Sequence, residues 1–292
     1  MDTAESKVVS RTLERPELHK QWVGDYYTDE SSRFYEAAFD QIATWLASRE
    51  KSTLLDAGCG DGAHTIRLAR RGYPVVALDF SPYALTRASD NIASHNLGHM
   101  VRFEQGSLLN LPFSDAAFEL VLCWGVLMHI PEVETAISEL ARVVKPNGFL
   151  IISEVNMWSI ERTLMRSVRR VLGKTVIRRL RGREPADLRV RPPGAEYWYQ
   201  TEAGPLFCRE ARISWLTAEL ASRGFVVKER IAGQFSERYT SVPTKLLKRS
   251  VHAFNQAWFA RVRWPQPATG NLLLFQKTRT PASARAATSS AE

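Results

Sequence analysis

The stretch LLDAGCGDG, Leu54 to Gly62, constrains the fold of this chain more than any other. Two apolar residues and an acid read as the end of a buried strand, and the glycines at 58, 60 and 62 then free the main chain for a sharp turn. A ligand can approach such a turn closer than a Cβ would permit. A helix beginning near Ala63 adds unpaired N–H groups beside it. The spacing is G-x-G-x-G rather than the G-x-G-x-x-G of dinucleotide sites, and no Gly-Lys-Ser/Thr follows, so neither an NAD fingerprint nor a P-loop fits. A second short apolar run, PVVALD, closes on Asp79, 23 residues beyond Asp56. That is close to the distance at which a strand–helix–strand unit presents a carboxylate to ribose hydroxyls.

The rest of the chain continues this alternation. Gly72 suits the stop of the first helix, and Ser81-Pro82 reads as cap and first residue of a second helix running to about Ser94. VRFEQG, ELVLCW and FLIISE are further strands, with a helix over Val133 to Val144 and a Pro146-Asn147-Gly148 turn before the last of them. Later come a helix over Arg209 to Arg223, the strand GFVVKERI, a helical stretch from about Pro243 to Phe259 and the strand NLLLFQK. The pattern predicts an α/β fold around a parallel sheet. Residues 1–20 are polar and expected to be flexible. Over 21–50, aromatic and aliphatic residues recur at helical intervals, with Asp29, Glu30 or Ser31 as caps, which predicts an N-terminal helical extension. Its aromatics serve packing or ligand contact, and Tyr26 and Tyr27 are the candidates for contact because each joins a ring to a hydroxyl. His64, just after the glycine loop, is expected on a helix surface. The Ala/Ser/Thr-rich tail 280–292 is expected to be disordered.

At 292 residues and 45% apolar composition the chain has ample material for a packed core. No apolar run approaches the length that spans a bilayer, and the N-terminal segment lacks a signal-peptide core, so the expectation is a cytoplasmic protein, peripheral at the inner membrane face at most. Cys59, Cys123 and Cys208 are odd in number and far apart, which suggests reduced, structural thiols and no metal site. The net charge of +8 is confined to one segment: residues 155–195 hold eleven Lys/Arg against three acids, and the remainder is balanced.

Taken together these motifs resemble the class I S-adenosylmethionine-dependent methyltransferases, in the group with the hhDhGCGxG signature. The resemblance runs from Thr53 to Glu154 and rests on LLDAGCGDG, the acid in VVALDFS, LPFSDAAFELVLCWGVLMHI and LARVVKPNGFLIISE. It implies a Rossmann-like seven-stranded, mostly parallel sheet with helices on both faces and one antiparallel strand, here Asn271 to Lys277. The methyltransferase domain would cover 21–279, with a basic helical insertion or lid over 155–205 after strand five. S-adenosylmethionine is the implied cofactor. Gly58, Cys59 and Gly60 would pass close to its methionine portion, and Asp56 would orient the loop or bind the amino group. Asp79 would accept from both ribose hydroxyls, Phe80 would cover the adenine, and Ser107 with the Leu108 main chain would take the adenine amino group where many members carry Asp. Asn147 stands for the usual first glycine of its turn.

In this family the residues after strand four face the methyl group, here Cys123, Trp124, Gly125, Met128 and His129. Methyl transfer from a sulfonium needs alignment above all, and a general base only when the acceptor loses a proton of high pKa. His129 is the candidate base, with a structural or cofactor-side role as the competing reading. Trp124 and Met128, with Tyr26 and Tyr27, are candidates for the acceptor pocket, and Trp124 suits packing equally. The chain reads CWGV where nucleobase amine methyltransferases show Asp/Asn-Pro-Pro-Tyr/Phe, which disfavours such acceptors. Over 158–183, Ile160, Leu164, Val168, Val171 or Leu172, Ile177 and Leu180 form an apolar stripe among arginines, read as a membrane-surface or anion-binding helix or as a solvated lid. The expected function is methylation, at oxygen or carbon, of a small or lipid-linked acceptor. Methylation of RNA through the basic segment, or a non-catalytic cofactor-binding subunit, are the alternatives.

Overall fold

The computed structural model describes residues 3–26, 28–47, 51–181, 186–242 and 244–278. Tyr27 and the tail 280–292 lie outside the described residues. Helices α1 (Ala4–Leu13), α2 (Pro16–Tyr26) and α3 (Asp29–Trp45) precede β1 (Leu54–Ala57), α4 (Ala63–Arg70), β2 (Val75–Asp79), α5 (Pro82–Ser94), β3 (Val101–Gln105) and β4 (Phe118–Trp124). Then follow α6 (Val133–Val143), β5 (Val144–Val155), α7 (Ile160–Arg181), β6 (Ala186–Arg191), β7 (Gly194–Thr201) and β8 (Gly204–Ala211). The chain continues through α8 (Ile213–Ser222), β9 (Phe225–Ala232) and α9 (Lys245–Ala257) to β10 (Gly270–Lys277).

Seven strands form one sheet in the order β3-β2-β1-β4-β5-β10-β9. β10 is the antiparallel strand, paired with β5 on one side and β9 on the other. The strand order reverses between β1 and β4, which opens a crevice at their C-terminal ends, where open α/β sheets bind ligands. Side chains alternate between two cores. Leu54, Val75, Leu120, Leu122, Ile151, Leu272 and Leu274 pack with Phe34, Phe39 and Ile42 of α3. Leu55, Val76, Val121, Leu150, Ile152 and Leu273 pack with α6 and α8 on the other face. β1 and β2 are buried throughout, as strands covered by helices on both faces must be. Ser81 caps α5 by accepting from the Ala84 N–H, with Pro82 at the first helical position. Asn147 holds a φ of 64° in its turn, a conformation Asn tolerates well.

Three sequence expectations change. Residues 4–20, expected to be flexible, belong to α1 and α2, whose Val9 and Leu18 pack on Leu206 and Phe207 of β8. The partner surface is almost two hundred residues away, so the local polarity of the segment hid it. The cap of α3 is Thr28, one residue before the candidates: Thr28 accepts from the Ser31 N–H, while the Ser31 hydroxyl accepts from the Thr28 N–H. The insertion over 155–205 is not purely helical. After α7 it becomes a three-stranded antiparallel sheet, β6-β7-β8, because EYWYQT and LFCREA are aromatic-rich, alternating runs joined at Gly204.

Of the apolar stripe read on α7, the part within the described side chains is turned largely outward, and the side chains of Leu172, Ile177 and Leu180 lie outside the described residues. Ile160, Leu164 and Val171 are exposed, whereas Met165 is buried and Arg162 and Arg166 point inward to carboxylates. Among the described residues no helix is long and apolar enough to cross a membrane.

Candidate active site

The crevice at the strand reversal opens into a cavity of about 540 Å³, lined by the glycine loop, the ends of β2, β4 and β5, the N-terminal helices and the β7–β8 meander. The loop is held down by the Gly58 and Cys59 N–H groups, which donate to Leu78 O at 2.8 and 2.9 Å. Gly58 has a φ of 87°, and a Cβ on it would meet Val126 Cγ2 at 2.5 Å, so only glycine lets the chain pass beneath the turn after β4. Gly58, Cys59 and Gly60 all line the cavity.

Asp79 stands at the C-terminal end of β2, also in the cavity wall. Its Oδ2 accepts from the Gly60 N–H at 2.9 Å and its Oδ1 from the Ser81 N–H at 3.0 Å. A carboxylate offers about four lone-pair sites, so each oxygen retains one for a ligand hydroxyl. Burial pushes its pKa up, opposed by the Ser81 and Gly60 N–H groups. Phe80, Ser107 and Leu108 lie beside it in the wall, and the Ser107 hydroxyl accepts from the Leu109 N–H at 3.1 Å. This wall fits the nucleoside of S-adenosylmethionine: a glycine cradle that a Cβ would fill, an acid placed for two hydroxyls, and an aromatic ring beyond it.

Asp56 is not in the cavity wall. It lies buried beneath the loop, where Oδ2 accepts from the Thr65 hydroxyl at 2.6 Å, tying strand to helix. Burial and the nearby Asp79 charge push its pKa up to about 7, against the Thr65 hydrogen bond. Of its two expected roles, this geometry provides loop orientation. Cys123 does not touch the cavity either. Alternation along β4 turns it into the core shared with α6, and burial raises its thiol pKa well above the ordinary value.

Trp124, the next residue, faces the opposite way and lines the cavity, stacked on Phe39 and against Tyr35 and His64. His64, expected on a helix surface, is half-buried, packed in this aromatic cluster and lining the cavity, and loss of hydration there lowers its pKa well below 6.5. Gly125, Met128 and His129 line the cavity on the short turn after β4. The His129 Nδ1–H donates to Phe207 O at 2.9 Å, and Trp22 of α2 stacks on the ring. This hydrogen bond makes Nε2 the unprotonated nitrogen. Burial lowers the His129 pKa, opposed by the Phe207 carbonyl.

Several wall residues were not read from the sequence. His19 and Trp22 come from α2, Tyr197 and Tyr199 from β7, Glu154 from β5, Arg162 from α7 and Gln234 from the turn after β9. Only Glu154 carried a local signal, an acid ending an apolar strand as Asp56 and Asp79 do. Tyr26, a pocket candidate, does line the cavity.

Residues 55–152 match the family model described as a methyltransferase domain. Over 133 residues the chain is 33% identical to the 27-O-demethylrifamycin SV methyltransferase of Amycolatopsis mediterranei, covering 44% of this chain and 49% of that protein. Over 118 residues it is 35% identical to a ubiquinone biosynthesis O-methyltransferase of Alkalilimnicola ehrlichii, covering 40% and 47%. The chain thus spans about half the length of the curated relatives it matches. The solved magnesium protoporphyrin IX methyltransferase from Synechocystis PCC 6803, with bound SAH, is 17% identical and superposes with a TM-score of 0.61 over 93% of this chain and 100% of that one, a likeness of fold. Sheet order, domain match and relatives agree that this chain carries a class I S-adenosylmethionine-dependent methyltransferase domain.

Proposed function

We propose that the protein methylates a small or lipid-linked acceptor, at oxygen or at carbon, with S-adenosylmethionine as donor. The observation that carries this reading is the single cavity running from the glycine loop to a wall of tyrosines and buried polar groups, of a size suited to a small organic molecule. The two relatives described above are methyltransferases of small molecules by name, one of them an O-methyltransferase. S-adenosylmethionine supplies an activated methyl group on a sulfonium. Gly58, Gly60 and Asp79 would hold it, Phe80, Ser107 and Leu108 would bound the adenine, and Asp56 would keep the loop in place. Trp124, Met128 and Tyr26 would bound the acceptor, and the enclosing α1 and α2 would exclude water. The Nε2 of His129, left unprotonated by the hydrogen bond at Nδ1, would take the acceptor's proton.

Radiolabelled methyl transfer into cell extract, fractionated into lipid, RNA, protein and small-molecule pools, tests the reading. Label is expected in the lipid or small-molecule pool, and label confined to RNA or protein would overturn it. Because burial lowers the His129 pKa, the ring is neutral at pH 7, and kcat/KM is expected to fall only as the pH drops below the ordinary range for histidine. His129→Gln is expected to lower kcat by about 10²-fold and to remove this acid limb. An unchanged rate and pH profile in that variant would end the base assignment.

For a lipid-linked acceptor we propose that the outer face of α7 rests on an anionic bilayer. Exposed Trp158, Ile160 and Leu164 would enter the interface, and the bases of the surrounding segment other than Arg162 and Arg166, which Glu210 and Glu237 engage, would supply the attraction to anionic headgroups. Co-sedimentation with phosphatidylglycerol vesicles is expected to drop several-fold in the triple variant Trp158→Ser, Ile160→Ser, Leu164→Ser, and equal sedimentation would count against the contact. Arg162 and Arg166, two of the bases behind an RNA reading, are engaged by Glu210 and Glu237.

A further inference from the structure

The amphipathicity of α9 is inverted. A surface helix ordinarily turns its apolar stripe to the core and its polar residues to water. The buried residues of α9 are instead His252 and Asn255. His252 packs on Tyr239 with ring centroids 4.3 Å apart. Asn255 grips one residue twice, its Oδ1 accepting from the Ser236 N–H at 3.0 Å and its Nδ2 donating to Ser236 O at 2.8 Å. The outward side carries Leu246, 76% exposed, with Leu247 and Phe254, and Trp264 stands exposed just beyond the helix. This face adjoins the start of α7, because the Trp258 Nε1–H donates to Trp264 O at 3.1 Å and the Ile160 N–H donates to Pro267 O, also at 3.1 Å.

The charge around the face has one sign. Residues 238–277 hold seven Lys/Arg and no Asp or Glu, a local excess that the balance of acids elsewhere outside 155–195 conceals. Lys245, Lys248 and Arg261 are exposed, and among the described residues none of them pairs with a carboxylate, while Arg249 reaches Glu30 only at 3.6 Å. Lys245 and Lys248 also stand in the first turn of α9, the end at which a helix favours acids over bases. Both the outward leucines and these bases are therefore poorly placed for a helix that faces water alone.

A bilayer of anionic phospholipid satisfies both halves of the surface. Leucines and aromatic rings enter the acyl boundary, and Lys and Arg extend to the headgroup phosphates. Other occupants satisfy one half only. A second copy of the face would cover the leucines but set base against base, and a nucleic acid would neutralise the bases but leave the leucines in water. We propose that α9 and Trp264 dock the protein on an anionic bilayer, as a contact separate from that of the outer face of α7. The segment that Asn255 and His252 hold beneath α9 includes Gln234, Glu237 and Arg238 of the cavity wall. Docking would bring that wall to a lipid-linked acceptor, a use that rests on the function proposed above.

Co-sedimentation of the whole chain with vesicles tests the docking. The variant Leu246→Ser, Leu247→Ser, Trp264→Ser is expected to bind phosphatidylglycerol vesicles at least about tenfold more weakly than the wild type. The variant Lys245→Gln, Lys248→Gln, Arg261→Gln leaves the apolar residues in place and is expected to lose about 10²-fold. Vesicles of phosphatidylcholine alone are expected to bind the wild type at least about tenfold more weakly than anionic ones. Undiminished affinity in either variant, equal binding to the two kinds of vesicle, or no vesicle binding by the wild type would each overturn the docking. So would a dimer in lipid-free sedimentation equilibrium that the leucine variant dissociates, since a second copy would then cover the face. Calorimetric titration of the wild type with S-adenosylhomocysteine separates the docking from the wider reading. If that ligand fails to bind while the vesicle results hold, the methyltransferase assignment goes and the docking stays; if it binds and the α9 variants sediment like the wild type, only the docking goes.

Discussion

Asp79→Ala is expected to weaken S-adenosylmethionine binding by roughly 10²- to 10³-fold, the largest effect of any single change on the donor side. The carboxylate has one lone-pair site left on each oxygen after accepting from Gly60 and Ser81. Two hydroxyls of a ribose would occupy them, and hydrogen bonds to a charged group are worth about 1.5–3 kcal/mol each. Losing both amounts to roughly 3–6 kcal/mol, and the 10²- to 10³-fold given above, about 3–4 kcal/mol, lies at the lower end of that range. Part of the loss would be indirect, because the Gly60 N–H is released with the carboxylate and the loop loses an anchor. Asp79→Asn separates the contributions: its one carbonyl oxygen can hold the Gly60 N–H or a hydroxyl but not serve both hydroxyls, so an intermediate loss is expected. Affinity should also decline as the pH falls, since the ionised form is the competent acceptor. Burial raises the Asp79 pKa, so the decline starts above the ordinary range for aspartate. Isothermal titration of both variants with S-adenosylmethionine measures each step. Unaltered affinity in Asp79→Ala would remove the ribose assignment.

The glycine-loop wall of the cavity was legible in the sequence because its parts are local. Strand, glycine loop and helix are consecutive, and each strand-end acid declares itself against an apolar run. Even there, alternation decides more than motif position, since Trp124 reaches the cavity and Cys123, one residue earlier, cannot. The opposite wall is assembled from α1, α2, α7, β7 and the β9–β10 region, which meet only through tertiary packing. Charge counting over 155–195 misled for a definite reason. Arg162 and Arg166 lie inside that window, while Glu210 and Glu237, which neutralise them, lie outside it. The same charge excess drew the insertion as helical and hid the strand signal of EYWYQT. His64 was misplaced because α3, absent from its local sequence, covers its side of α4 with Tyr35 and Phe39.

The second large effect is expected at Arg209, which neither touches the cavity nor belongs to any motif. Its side chain is buried on β8, and it joins the meander to the turn that carries Met128 and His129. Nη1 donates to Leu127 O at 3.2 Å and Ile130 O at 2.8 Å, and Nη2 donates to Pro131 O at 2.9 Å. The same guanidinium pairs with buried Glu196 at 2.9 Å. Arg209→Met fills similar volume but strands three carbonyls and leaves Glu196 with the more distant Arg191, 3.5 Å away and half in solvent. Breaking a buried pair from one side costs about 3–5 kcal/mol. For a chain of this size that corresponds to a fall in Tm of about 10 °C. Urea denaturation of the variant measures the loss directly, and a change below about 1 kcal/mol would show that the guanidinium is not the tie proposed here. Glu196→Gln in the Arg209→Met background removes the stranded charge and is expected to recover part of the loss, which a merely steric defect would not allow. Because the turn bearing His129 would lose its fastening while the glycine loop keeps its own, methyl transfer should suffer more than S-adenosylmethionine binding. Arg209 also opposes the upward shift of the neighbouring Glu154 carboxyl, so its removal should raise that pKa further above 8.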